Sequence, residues 1–417
     1  MGMNIDEKDT IRALQKKYQK FPLFIMIKIE AQRRGVKFTE KALKKVDLSI
    51  HQVQVRSFSR EVNLQIPVAF MLRDGTSIIA RAENQEKENP LVIDVDEESD
   101  KIVIKDNKDI LDEIYYWEKP DYYDKFTRSG VPMWQVINAR PQRLEINPYQ
   151  FCDMWVYRKG CKFCEIAGTY NNSHKPMYLD LDDIEEVFSE AILQPGRYTN
   201  VFLTGGINLR GREIFDEEVE YYIRLLKILG KYFKTTRFPS QLLGGAYNKK
   251  QLERIYNETG VMSYSSNLEV LDKNIFKWIC PGKAYYVGYE EWKERLFCAV
   301  DIFGKKYVNT GIVCGVEMTS PGGYASEEEG VLKTLEEAEN LMKHGVDVVS
   351  CVWRVAKKSL LFDMKQPSLE YYIRIASGLY YLRKKYDLVS DMDNYRRCGN
   401  HPDTDLQRIG NGEYKYK

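Results

Sequence analysis

From Arg143 onward the chain repeats one pattern six times: a short apolar run, then an amphipathic helical stretch, at intervals of about 30–40 residues. The predicted strands are Leu144–Asn147, Asn200–Thr204, Thr235–Leu243, Val261–Asn267, Tyr307–Cys314 and Val346–Arg354. Helices are predicted after them at Leu181–Leu193, Glu217–Phe233, Lys249–Glu258, Glu290–Phe303, Glu328–His344 and Ser368–Tyr386. Strands joined by crossover helices run parallel, so the class is α/β, with a helix-flanked parallel sheet that is open or curled into a partial or full barrel. Ligands of such sheets collect beyond the carboxyl ends of the strands. Site residues are therefore expected after Asn147, Thr204, Leu243, Asn267, Cys314 and Arg354.

Residues 1–140 have another rhythm. Helical stretches at Asp6–Gln19 and Pro22–Arg34 precede short alternating runs, Val53–Phe70, Ser77–Arg81 and Leu91–Asp96. This predicts a small α+β domain that carries no motif for chemistry. Residues 141–390 form the repeating unit. Residues 391–417 are polar and turn-rich around Cys398, His401, Asp403 and Asp405, which predicts a disordered tail or a cover over the barrel mouth. The length of 417 residues accommodates this division. With 62 Lys plus Arg against 61 Asp plus Glu, the electrostatic argument for a broad nucleic-acid surface falls away. No apolar run reaches the roughly 18–20 residues that span a bilayer. Met1–Asp9 contains no signal-peptide core, which predicts a cytoplasmic protein.

Directly after the first repeating strand stand Cys152, Cys161 and Cys164, a C-x8-C-x2-C arrangement. A C-x2-C turn aims two thiolates at one metal, Gly160 loosens the turn, and Cys152 closes the loop over it. Structural zinc wants four ligands and so does an electron-transfer cluster, whereas a cubane on three thiolates keeps one iron open. Taken alone the cysteines leave two other possibilities: a redox pair, or a zinc-stabilised non-catalytic scaffold with His174 as the fourth ligand.

Cys161-Lys162-Phe163-Cys164, with Cys152 before it, resembles the C-x-aromatic-C element of the radical S-adenosylmethionine superfamily. The first gap is eight residues, against three in that family's commonest spacing. Leu203-Thr204-Gly205-Gly206 is similar to the Gly-Gly-Glu motif that binds the methionine amino group, with Ile207 in place of Glu. Ser266-Asn267-Leu268-Glu269, followed by Trp292 and Arg295, resembles the strand-four and helix elements of the biotin synthase-like group. Gly311–Glu317 resembles the strand that lies beside the adenine. The resemblance covers roughly Arg143–Tyr386 and implies a (β/α)6 partial TIM barrel with an amino-terminal extension. It further implies a [4Fe–4S] cluster on Cys152, Cys161 and Cys164. S-adenosylmethionine would contact Gly205, Gly206, Asn267, Glu269, Arg295, Val313 and Gly315. The implied reaction is reductive cleavage to a 5′-deoxyadenosyl radical that takes a substrate hydrogen, for cofactor, lipid or natural-product biosynthesis. An electron donor such as ferredoxin or flavodoxin is implied as partner. Arg237, Gln241, Trp353 and Arg354, polar or aromatic groups at strand ends, are the substrate-facing candidates for a small molecule.

Overall fold

The computed structural model describes residues 10–53, 66–67, 69–82, 89–170, 176–319, 321–390 and 399–410. Most of the predicted run Val53–Phe70, His174 and Cys398 lie outside them.

The amino-terminal unit begins with α1 (Ile11–Lys17), α2 (Leu23–Arg34), β1 (Val36–Phe38) and α3 (Glu40–Lys44). It continues through β2 (Ala69–Leu72), β3 (Ser77–Ile79), β4 (Leu91–Val95), β5 (Ile102–Asp106) and β6 (Asp109–Tyr116). Asn107 turns β5 into β6 at φ 54°, a left-handed conformation that asparagine tolerates in tight hairpins. These strands form one six-stranded sheet in the order β1-β4-β5-β6-β2-β3. Every residue of α2 from Ile25 to Arg34 is buried, the polar Lys28, Glu30, Gln32, Arg33 and Arg34 included, so this helix lies inside the molecule.

The second sheet starts earlier than residue 141. After α4 (Met133–Val136), β7 (Ile137–Arg140) pairs antiparallel with β8 (Arg143–Ile146), so the boundary shifts toward the amino terminus. A two-residue connection leaves those strands no geometry but a hairpin. The cysteine segment carries α5 (Asp153–Val156) and α6 (Ile166–Tyr170) and leads to α7 (Leu181–Ala191). Then come β9 (Asn200–Leu203), α8 (Asp216–Gly230), β10 (Phe238–Leu243), α9 (Lys249–Glu258) and β11 (Val261–Ser265). An insertion, α10 (Lys273–Ile279) and α11 (Pro281–Tyr286), precedes α12 (Tyr289–Phe303). The series ends with β12 (Val308–Cys314), α13 (Glu327–Lys343), β13 (Asp347–Val352) and α14 (Leu369–Lys385). From β8 to β13 every neighbouring pair is parallel and the strands lie in chain order, in a mixed α/β fold whose sheet curls into a half-barrel.

Both edges of that sheet are covered by side chains. On β7, Tyr122 Oη donates to the Ile137 carbonyl at 3.0 Å, and Gln52 to the Ala139 carbonyl at 2.6 Å. The Ala139 N–H donates to Tyr123 Oη at 2.9 Å. On β13, Asp403 accepts from the Ser350 N–H at 3.0 Å, and Arg383 donates to the Val348 carbonyl at 3.0 Å. Covering unpaired strand edges prevents edge-to-edge association. Asp403 belongs to α15 (Pro402–Gly410), nearly all of it buried. Residues 402–410 are thus neither a disordered tail nor a cover over the mouth. They form a helix wedged against β13 and α2, held by the Lys28–Asp405 ion pair, in which both side chains are buried.

Candidate functional site

The cysteines sit on the connection after β8, and the second strand holds that connection in place. Gly206 N–H donates to the Tyr149 carbonyl at 3.0 Å, and Asp153 N–H to the Ile207 carbonyl at 2.8 Å. A Cβ on Gly206 would stand 1.5 Å from the Phe151 carbonyl oxygen, and one on Gly205 2.7 Å from that of Tyr149. The glycine pair is required by the cysteine loop itself, which presses its backbone onto the end of β9. Gly160 likewise serves close approach: a Cβ there would meet the Trp155 ring at 2.2 Å. Trp155 is therefore packed inside the loop.

From the other side, Lys162 N–H donates to the Ile279 carbonyl at 2.8 Å and Gly282 N–H to the Lys159 carbonyl at 2.9 Å. These bonds bring the α10–α11 junction, with Cys280 and Lys283, against the loop. The Cys280 thiol is fully buried, and its hydrogen bond, followed by the Lys283 ammonium, holds Cys161 below the ordinary thiol range against the opposing effect of burial. Burial pushes Cys152 up to about 11 and raises Cys164 as well. The three thiols lie within electrostatic reach of one another. Among the described residues, no group of three or more His, Cys, Asp or Glu side chains converges as around a bound metal ion. What fits an iron–sulfur cluster is the donor chemistry: three soft thiols on one loop with an ammonium beside them.

Facing this loop is the end of β11. Glu269 stands at φ 69°, a left-handed conformation costly for a residue with a side chain. Its backbone is locked to β12 by hydrogen bonds to the Gly311 carbonyl and from the Val313 N–H, at 3.0 and 2.9 Å. Its carboxylate pairs with Lys283 at 2.7 Å, the two side chains being 13% and 6% exposed, so Glu269 is no surface acid. Lys283 also donates to the Asn267 carbonyl at 2.6 Å and lies 4.8 Å from the centre of the Trp292 ring. Asn267 Oδ1 accepts from the Gly311 N–H at 2.9 Å, and Gly311 has no room for a Cβ beside it. Val313 is half-buried in β12, and Gly315 follows at φ 107°. Gly315 N–H donates to Glu317 Oε2 at 2.8 Å, the Tyr371 hydroxyl donates to Glu317 Oε1, and burial raises the Glu317 carboxyl to about 7.

Two expected site residues are engaged by the scaffold. Arg237 lies just before β10, at its amino end, where Nη1 donates to the carbonyls of Tyr256, Thr259 and Val261 at 2.7, 3.0 and 3.2 Å. It stacks on Tyr256 at 3.5 Å and closes the end of α9, so it does not face a substrate. Arg295 pairs with Glu291 at 2.7 Å and donates to the Ala246 carbonyl at 2.8 Å, tying α12 to the loop after β10. Its fork is committed to the scaffold. Gln241 is buried in β10, and Trp353 and Arg354 follow β13, each with a buried nitrogen that has no partner among the described residues: Trp353 Nε1 and Arg354 Nη1. Cys280 and Lys283 carry no sequence signal beyond a Cys-x2-Lys spacing with no family pattern behind it.

No family model matches the chain, and no curated protein matches it. Among solved structures it is similar to HydG, a maturase of the [FeFe]-hydrogenase, at 12% identity and TM-score 0.43, over 61% of this chain and 52% of that one. Coproporphyrinogen III oxidase from Escherichia coli, described as a radical SAM enzyme, gives 17% identity and TM-score 0.38, over 64% of this chain and 57% of that one. A radical SAM methyltransferase from Sphaerobacter thermophilus gives 13% identity and TM-score 0.41, over 91% and 93%. The chain spans about half the length of the first two.

Proposed function

We propose that the protein is a radical S-adenosylmethionine enzyme on a (β/α)6 partial TIM barrel, with a [4Fe–4S] cluster held by Cys152, Cys161 and Cys164. The observation that carries this reading is the position of the three thiols on one loop beyond the carboxyl end of β8, faced by the buried Glu269–Lys283 pair. When bound, the cluster and S-adenosylmethionine supply one-electron cleavage of the sulfonium and a 5′-deoxyadenosyl radical able to take a substrate hydrogen.

The chain's own residues bind and orient. Gly205 and Gly206 seat the cysteine loop on the end of β9. Lys283 neutralises thiolate charge and leaves one Glu269 oxygen to accept from ribose hydroxyls. The backbone of Val313 and Gly315 offers a flat edge to the adenine, with Asn267 fixing the neighbouring Gly311. Gln241 and Trp353 lie along the substrate's side of the barrel. A ferredoxin- or flavodoxin-type carrier supplies the electron. The product class we favour is a cofactor, lipid or natural product. Among the described residues no helix is long and apolar enough to cross a membrane.

Anaerobic reconstitution tests this. Iron and sulfide with a charge-transfer band, lost in Cys161→Ala, and 5′-deoxyadenosine formed under strong reductant are the expected results. Deuterium moving from a labelled substrate into 5′-deoxyadenosine would identify the position attacked. Stoichiometric zinc without iron would sink the reading.

A further inference from the structure

The half-barrel leaves a gap between β7 and β13, and the amino-terminal unit covers it through Gln52, Tyr122 and Tyr123 on one side and α2 on the other. At this seam three guanidiniums, Arg81, Arg140 and Arg354, stand within electrostatic reach. They come from just after β3, from β7 and from just after β13. Two are engaged. Arg81 Nη1 donates to the Val355 carbonyl at 2.7 Å, and Glu145 clasps Arg140 with contacts of 2.7 and 2.9 Å. Arg354 differs: no hydrogen bond or ion pair ties its guanidinium to any described residue, although its Nη1 is buried. Burial, then Arg140 and Arg81, hold its pKa below the usual value, while Cys351 and Glu165 act in the other direction.

A guanidinium stays charged in a protein, and a desolvated charge without a counter-ion is strongly unfavourable. Beside it, Trp353 presents a second buried donor, Nε1–H, without an acceptor among the described residues. The two residues follow β13 directly, at the carboxyl ends of the strands, where ligands of such sheets bind. Glu165, adjacent in sequence to Cys164, marks how near the cysteine loop is. Polar groups left unfinished at such a place are completed by a ligand.

We propose that Arg354 seats an anionic group of the substrate, a carboxylate or a phosphate, and that the amino-terminal unit contributes Arg81 to the same seat. This names a substrate class for the function proposed above, and rests on it for the word substrate. The amino-terminal unit thereby gains a role in binding, since it closes the gap in the barrel and adds positive charge where the anion lies. Arg's planar fork suits either oxyanion in bidentate fashion, which Lys does not.

The test uses the full chain with two probes, inorganic phosphate and succinate, at matched ionic strength against chloride. Thermal midpoint and the fluorescence of Trp353, with Trp353→Phe as its control, report binding. The wild type should be stabilised by at least one probe, and which one responds separates phosphate from carboxylate. Arg354→Gln should weaken that response by about tenfold or more, and Arg354→Lys should keep part of it. Without added oxyanion, Arg354→Gln should be no less stable than the wild type, because it removes an uncompensated charge. An unresponsive wild type, an undiminished response in Arg354→Gln, or a destabilised Arg354→Gln would each overturn the proposal. So would an Arg354-dependent affinity for S-adenosylmethionine, which would put the arginine in the cofactor's site. Iron content of the wild type is measured separately: its absence would sink the radical reading and leave the anion seat standing.

Discussion

The two ends of β13 hold buried polar groups of opposite character. In its first half, Arg383 is shared by Asp347 and Asp403, at 2.9 and 2.7 Å, and Asp403 also accepts from the Ser350 N–H and hydroxyl. The network runs on into the amino-terminal unit through Lys28–Asp405, Arg408–Asp405 and a 2.7 Å bond from Arg408 to Thr76. Beyond the other end, Trp353 Nε1 and Arg354 Nη1 have no partner among the described residues. Desolvating a charge is tolerable when the partner is built into the chain, and such a network then acts as architecture. Where the partner is missing, the chain has kept an interaction for something it must bind.

The largest effect expected from breaking this contrast is at the finished end. Asp403→Ala should cost about 3–5 kcal/mol in urea unfolding, since it removes one of the two carboxylates on the buried Arg383 and takes the acceptor from the Ser350 N–H and hydroxyl. A loss under about 1 kcal/mol would make the two ends alike. Second in size is the pH dependence of Glu317, just past the end of the neighbouring strand β12. Burial raises its carboxyl from 4.5 to about 7, so the folded protein binds the proton more tightly than the unfolded chain. Its contribution is complete below pH 4.5 and fades as pH rises through 7, up to about 3 kcal/mol in all. Glu317→Gln should flatten that decline. Glu145 has the opposite sign. Burial pushes it up, but Arg140 outweighs this and holds it at about 2, so its stabilisation is present above 4.5 and is lost as the solution is acidified toward 2. Stability profiles of the two Gln variants between pH 2 and 8 separate them.

At the mouth itself, Glu269→Ala should weaken S-adenosylmethionine binding by about 1.5–3 kcal/mol, read by calorimetry on the reconstituted protein. Unchanged affinity would give the ribose contact to another residue. The smallest effect serves as a reference away from both ends. Asn248 and Gln251 form a reciprocal cap on α9, at 3.0 Å in each direction, so Asn248→Ala should cost about 1 kcal/mol in thermal unfolding and leave ligand binding alone.

Much of the barrel was legible because its signals are local. Helix Lys249–Glu258 has the predicted bounds, with its cap written into Asn248 and Gln251. The six strands fall within a few residues of their predicted positions, since each is a short apolar run between polar turns. The hairpin of β7 and β8 was missed because Ile137–Arg140 is too short to show an alternation, and α15 because its polar residues look solvated until Asp403, Asp405 and Arg408 find buried partners. Among the candidate residues, the cysteines and Glu269 were singled out by type and spacing. The scaffold contacts of Arg237 and Arg295 were not legible, because sequence marks a residue's nearness to a strand and says nothing of which carbonyls its guanidinium will reach.

The sequence by itself determined the order of elements, the parallel direction of β8–β13, and the attachment of three cysteines to the loop after β8, because periodicity, connection length and covalent neighbourhood are properties of consecutive residues. Tertiary structure alone decided that Gly205 and Gly206 seat that loop, that Lys283 takes half of Glu269, and that α15 finishes one end of β13 while Arg354 stays unfinished at the other. Each of those joins residues distant along the chain, and whether a buried charge has a partner is settled only when the folded backbone brings the two within a few ångströms in a low-dielectric interior.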